Sequence, residues 1–432
     1  MKKIIILLIL FVLGSGPGWT ATIEKVKMDA KNIWGDTAKK TTYLQGNVII
    51  NQGKTRINAD WAEIDLENKK AFLNNGVMLR QLEIGIAAKQ LQYDLRKKVG
   101  TFEQQVRLER TQVKNAQDKK EPFVLQCEQL YLEAETKNFI AQTTVRIAHS
   151  EFDGSADQAD YHDKNQVLSL QGRAVLKRPQ KNEAGKVKEA FELTGDRIDL
   201  EINTKNFRAT GAPALQHADF DGSAQQIDYF DNRQQLFFQN QVVLKRAAKP
   251  EAGKSKEPFE LRSDQLVMEV NSRNFVGTGQ VKLIHPDFAA ESAKIVYDDL
   301  RQELTFTEQV RLRRAPQTDS RGKTKTKEPF DLGSDRLVMD LNSKNFIATG
   351  NATIRNEDFQ GAADRIEYDD AKQQLLLKGN ARLKRPEGEE VTGDQLRVNL
   401  NDKSFVVLNQ VNLMFEVKEN PGKTTVPPKR KR

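Results

Sequence analysis

From residue 26 to residue 413 the chain is built of short runs in which every second residue is apolar, the period of a β-strand with one buried face. In one such run Phe207, Ala209, Gly211, Pro213 and Leu215 mark alternate positions. Just upstream Ile198, Leu200 and Ile202 alternate in the same way, yet Phe191 and Leu193 lie on the opposite parity, so the phase slips by one near Asp196. A slip of this kind predicts a bulge or corner, where a strand can pass from one sheet into a facing one.

The runs repeat. Tyr93, Tyr161, Tyr229 and Tyr297 are each 68 residues apart, Tyr368 follows after 71, and Phe139, Phe207 and Phe275 keep the 68-residue step. Each unit splits again, because Phe152–Asp157 and Phe191–Asp196 open segments that align with each other. Twelve half-repeats result, from Val26 to Glu389 as first residues, and each ends on a branched aliphatic residue such as Ile50, Leu215 or Leu413. Repetition on this scale predicts units that bury their apolar faces against their neighbours.

Within the half-repeat the residue before the corner is always small, as at Ala59, Cys127 and Gly195, and Asp follows it in seven copies, including Asp60, Asp157 and Asp364. These carboxylates are expected to accept hydrogen bonds from backbone amides at the corner. Cys127 reads as a small packed residue rather than a nucleophile. Gly46, Gly172, Gly211, Gly279, Gly350 and Gly379 share one position with Asn75, Asn240 and Asn409, which suits a turn or bulge of positive φ before the final run. The expected fold is therefore all-β: an elongated repeat β-jellyroll of two facing antiparallel sheets, with one strand per sheet per half-repeat and a length of about 58 Å. A parallel β-helix is the architectural rival.

Composition narrows the setting. Lys2 and Lys3 precede the apolar run Ile4 to Leu13, so residues 1–21 read as a secretory signal peptide, with retention as an N-terminal anchor the alternative. Residues 22–413 form the continuous repeat body and 414–432 a basic tail. The formal charge of +8 falls to +2 on the body once Lys2, Lys3 and the terminal Lys429–Arg432 are set aside, which argues against nucleic acid. Four Lys-rich stretches, near 111–121, 179–190, 247–258 and 315–329, read as exposed loops emerging along one side, with Lys188 facing outward.

Catalytic chemistry is not written in the chain. It has no Gly-rich phosphate loop, no H-E-x-x-H and no G-x-S-x-G. His149, His217 and His285 are 68 residues apart at one repeated position, but with one strand per sheet per half-repeat they stand about 9.6 Å apart, too far to share a metal. No metal site, cofactor or enzymatic activity is expected. An apolar interior opened along one edge would instead accept acyl chains.

Gln45–Asp60, reading QGNVIINQGKTRINAD, resembles the signature of the LptA/OstA family of lipopolysaccharide-transport proteins, and Leu377–Leu383 repeats its core. The resemblance implies a periplasmic β-jellyroll that holds the acyl chains of lipopolysaccharide and stacks edge to edge with LptC-like and LptD-like partners or with further copies of itself. Its groove would be lined by the row Phe139, Phe207, Phe275, Phe346 and Phe405, with Ile198, Leu200, Leu215 and Leu283. The function expected is a lipid carrier or bridge toward the outer membrane. A structural spacer of the envelope that binds no lipid and a membrane-anchored LptC-like adaptor are the alternatives.

Overall fold

A computed structural model describes residues 6–8, 24–112, 120–183, 186–247, 249–251, 254–315, 317–318 and 325–415. Most of the expected signal segment, the tail from 416 onward and parts of the Lys-rich stretches lie outside them. Among the described residues there is no helix, and the strand pairings between successive runs are antiparallel. The chain divides into two compact units: Met1–Leu244 with Gln265–Arg273, and Lys245–Asp264 with Asn274–Arg432. Each is built in the same way.

A half-repeat is a pair of long strands, such as Thr55–Asp65 and Lys70–Gln81, and every strand is broken near its middle by a register shift. In Phe191–Glu201 the buried residues are Phe191 and Leu193 before the break and Ile198 and Leu200 after it, the phase slip read from the sequence. The second strand of each half-repeat breaks at two consecutive residues of positive φ, such as Gly172 (71°) with Arg173 (47°) or Glu308 (66°) with Gln309 (55°). Such pairs occur in all twelve half-repeats. Glycine is favoured here by more than φ: a Cβ on Gly211 would lie 2.4 Å from the Asp196 Cβ on the facing strand.

These breaks fold each strand over. Nine residues separate Phe191 from Leu200, about 30 Å of straight strand. Yet the Phe191 ring centroid lies 5.8 Å from that of Phe207, which is in register with Leu200. The two halves of a strand thus belong to two facing layers, the bends form one margin, and the strand ends meet at the other. Both layers turn apolar residues inward: Leu193, Leu215, Ile198 and Leu200 in the first unit, Leu283, Leu312, Ile295 and Leu304 in the second, each at most 2% exposed.

Two expectations change. Each half-repeat adds two strand halves to each layer rather than one, because the glycine-marked position is a bend within a strand, not a turn before one. The layer therefore advances about 9.6 Å per half-repeat. At three of the bends the donor to the aspartate is a side chain: Asp157 accepts from Arg173 at 2.5 and 3.1 Å, Asp335 from Asn351 at 3.0 Å and Asp364 from Asn380 at 3.0 Å.

Candidate functional site along the seam of the two layers

Where the strand ends meet, each unit has a seam made by side chains. In the first unit one edge carries Arg178, Phe191 and His217 in register; the other carries Tyr161, Leu168, Leu200, Phe207 and Tyr229. The Arg178 guanidinium crosses between them. It donates to the Tyr229 hydroxyl and to Gln234 Oε1 (2.7 Å), and lies 5.5 Å from the Phe191 ring and 5.4 Å from the Tyr229 ring. The Tyr229 hydroxyl in turn donates to Asp231 (2.9 Å).

The same cluster recurs. In the first unit Arg110 meets Phe123, Tyr161 and Asp163. In the second, Arg246 meets Phe259 and Tyr297 and also donates to the Glu257 carbonyl (2.7 Å), while Arg314 meets Phe330, Tyr368 and Asp370 (2.9 Å). Burial raises the pKa of Tyr161, Tyr229, Tyr297 and Tyr368, so these phenols remain donors. The Lys-rich stretches supply a further cation to each carboxylate: Lys120 to Asp163, Lys188 to Asp231 (4.0 Å), Lys256 to Asp299 (3.2 Å) and Lys327 to Asp370.

Each unit also carries a second set of crossings. Glu83 pairs with Lys137 (2.6 Å), Asp219 with Arg273 (2.9 Å), Asp287 with Lys344, and Asp358 with Lys403 (2.9 Å). Burial opposes the charged forms of Glu83 and Glu151, but their lysine partners outweigh it and hold both carboxyls below the usual value. His149 and His285 share the seam position that Gln52 and Gln81 fill elsewhere. Those glutamines donate across the seam to the Leu95 (2.7 Å) and Ala134 (2.8 Å) carbonyls. Burial pushes both histidines down to about pKa 4, and their Nδ1 atoms accept from the backbone amides of Glu151 and Asp287.

The residues expected to line a groove are closed in. Phe139, Phe207, Phe275 and Phe346 are 1–5% exposed, and each ring stacks on a tyrosine at 4.9–5.0 Å. Phe139, Leu200 and Phe207 share one register row of the first unit, and Phe275 and Phe346 the corresponding row of the second. Within the first unit Ile198 lies deeper in the same layer as Leu200 and Leu215 belongs to the opposing layer; within the second, Leu283 belongs to the layer opposing that of Phe275. Phe405 is half-buried beneath the Arg385 guanidinium, 4.8 Å away.

Lys188, expected to face outward, faces the seam instead, 3.4 Å from Glu151. His149 and His217 stand four strand steps apart, about 19 Å, not two. Among the described residues no group of three or more His, Cys, Asp or Glu side chains is placed to hold a metal ion. The crossing residues were missed in the sequence although they obey its period: Arg110, Arg178, Arg246 and Arg314 are 68 apart, as are Lys120, Lys188 and Lys256.

Residues 27–206 and 260–404 match the family described as LptA/(LptD N-terminal domain) LPS transport protein, and the chain belongs to that family. Over 93 residues it is 35% identical to the LPS-assembly protein LptD of Bordetella avium (strain 197N), a match covering 22% of this chain and 11% of that protein. Among solved structures it resembles LptH of Pseudomonas aeruginosa, described as the LptA homologous periplasmic component of the conserved lipopolysaccharide transport device. That match has 15% identity, a TM-score of 0.25, and covers 31% of this chain and 87% of that one.

Proposed function

We propose that the chain is a non-enzymatic periplasmic carrier or bridge for lipopolysaccharide, with acyl chains taken up between the two layers through the seam. The observation that carries the reading is the unequal construction of the two margins. At the bends each strand crosses covalently from layer to layer, whereas at the seam the crossings described above are side-chain bonds, as from Arg178 to Tyr229 or Gln81 to Ala134. Parting the layers there breaks no strand pairing. It exposes aromatic and aliphatic rows to acyl chains, whose burial contributes roughly 0.8 kcal/mol per CH₂. The seam cations would then face the phosphates of the headgroup.

Family membership supports the transport role, and the exposed apolar residues of the last described strands, Val406, Leu413 and Met414, suit strand addition by LptC-like or LptD-like partners or by another copy. The filled interior favours a second reading, a spacer that never opens. Photocrosslinking to lipopolysaccharide from Phe207 and Phe275, with outward Arg262 as reference, separates the two. Crosslinks at the phenylalanines alone support the carrier. A folded protein that gives none, and that copurifies with no lipid, overturns it in favour of the spacer.

A further inference from the structure

The outward faces of the layers carry charges that the seam does not use. In the second unit one outward register row runs Arg311, Gly333, Thr353, Ala362, Arg382. The row beside it runs Arg313, Asp331, Arg355, Gln360, Lys384. The three small residues leave a floor between long cations, and the result is a cleft of about 880 Å³. Arg311 and Arg382 are four strand steps apart, about 19 Å, with Arg355 midway between them in the neighbouring row.

An ordinary solvated strand face mixes charges so that they pair. Here Arg313 pairs with Asp331 (2.9 Å), Arg382 with Glu390 (2.6 Å) and Lys282 with Glu291 (3.2 Å), the acid in register with Arg311, but no acid of the described residues lies within ion-pairing distance of Arg311, Arg355 or Lys384. The corresponding face of the first unit differs: Arg107 pairs with Glu109 (2.5 Å) and Lys177 with Glu192 (2.9 Å). The scaffold position is the same in both units, so the surplus is a property of these side chains and not of the fold. Guanidinium groups around a small-residue floor, with the Thr353 hydroxyl and Gln360 amide beside them, match the geometry and hydrogen bonding of phosphate oxygens.

We infer that this cleft binds phosphate groups, borne either by the headgroups of an anionic lipid surface or by a soluble oligophosphate. It lies on the outer face, away from the proposed acyl interior, and its occupancy does not depend on the seam opening. The full chain is tested for cosedimentation with phosphatidylcholine vesicles with and without phosphatidylglycerol, and by calorimetry with inorganic pyrophosphate. The triple variant Arg311→Gln, Arg355→Gln, Lys384→Gln is compared with Arg107→Gln, Arg146→Gln, Lys177→Gln on the first unit.

Since each cation near an anionic surface contributes about 1 kcal/mol, the first triple should bind charged vesicles roughly 100-fold more weakly, while the second stays near wild type. Vesicle binding lost only in the first triple identifies a lipid-surface site; pyrophosphate binding with the same selectivity and no vesicle binding identifies a soluble ligand. Binding of neither probe, or equal losses in both triples, overturns the inference. Should the triple fail to fold, Thr353→Glu, which places a negative charge on the exposed floor, must weaken binding in its place.

Discussion

Replacing His285 tests how the seam responds to mild acid. Its side chain is fully buried, its Nδ1 accepts from the Asp287 amide (3.1 Å), and Glu257 and Asp287 carboxylates stand 4.0 Å from its ring nitrogens, with Lys344 and Arg246 opposing protonation. Burial lowers its pKa from 6.5 to about 4. The unfolded or locally opened chain therefore takes up the proton first. The stability due to the neutral ring is complete above about pH 6.5, falls as the pH drops, and is exhausted below about pH 4. At about pH 5 the loss is about 2 kcal/mol, a roughly 30-fold rise in the local opening constant. Carboxylates whose pKa is held below the usual value, such as Glu83 and Glu151, lose their contribution only at lower pH, which keeps the windows apart.

Local opening is the right quantity, because a repeat array need not unfold in one step. Amide hydrogen exchange, corrected for intrinsic rates, should show protection across Phe275–Asp298 falling between about pH 7 and pH 5 in the wild type. In His285→Gln, which installs the residue type found at Gln52 and Gln81, that dependence should flatten. Parallel pH profiles for wild type and variant would refute the assignment of the acid response to this ring.

Three further outcomes follow from the packing. Tyr297→Phe removes a hydroxyl that donates to Asp299 at 2.7 Å and accepts from Arg246, and should cost about 1–3 kcal/mol in local exchange around the seam of the second unit. Gly279→Ala places a Cβ 2.4 Å from Asp264 Oδ2 at a φ of 72°, and should destabilise by about 1–3 kcal/mol, with partial recovery on adding Asp264→Ala; denaturant melts of both variants check this. Cys127 is buried with its thiol pushed up to about 12, so labelling by a thiol reagent at neutral pH should be slow in the native protein and rapid only in denaturant.

The strands and their corners were legible because alternation, small residues and a one-residue slip are local consequences of a pleated backbone. Phe191 and Leu193 against Ile198 and Leu200 show all of this in ten residues. The bend in the second strand was half legible: Gly211 signalled positive φ, but a single glycine looks the same whether it ends a strand or folds one. Glu308 and Gln309, which adopt the same conformation, give no such signal at all. The seam was not legible, because Arg178 and Tyr229 lie 51 residues apart and each alone resembles the solvated end of a strand. Only folding the strands over brings them together. The pairing of Lys188 with Glu151 is hidden for the same reason, since it joins a polar insert to a residue 37 positions earlier.

The reach of these arginines, 51 residues for Arg110, Arg178 and Arg246 and 54 for Arg314, also governs how such a chain can change its length. Arg178 closes one half-repeat, its tyrosine belongs to the next but one, and the half-repeat between them contributes Phe191 and Phe207. Excising a single half-repeat would set an arginine opposite a turn built for a histidine-bearing neighbour. Removing or duplicating 68 residues, for example 152–219, would rejoin equivalent positions and restore each guanidinium to a matching hydroxyl. The genetic quantum of growth is thus the pair, although the half-repeat is the structural brick.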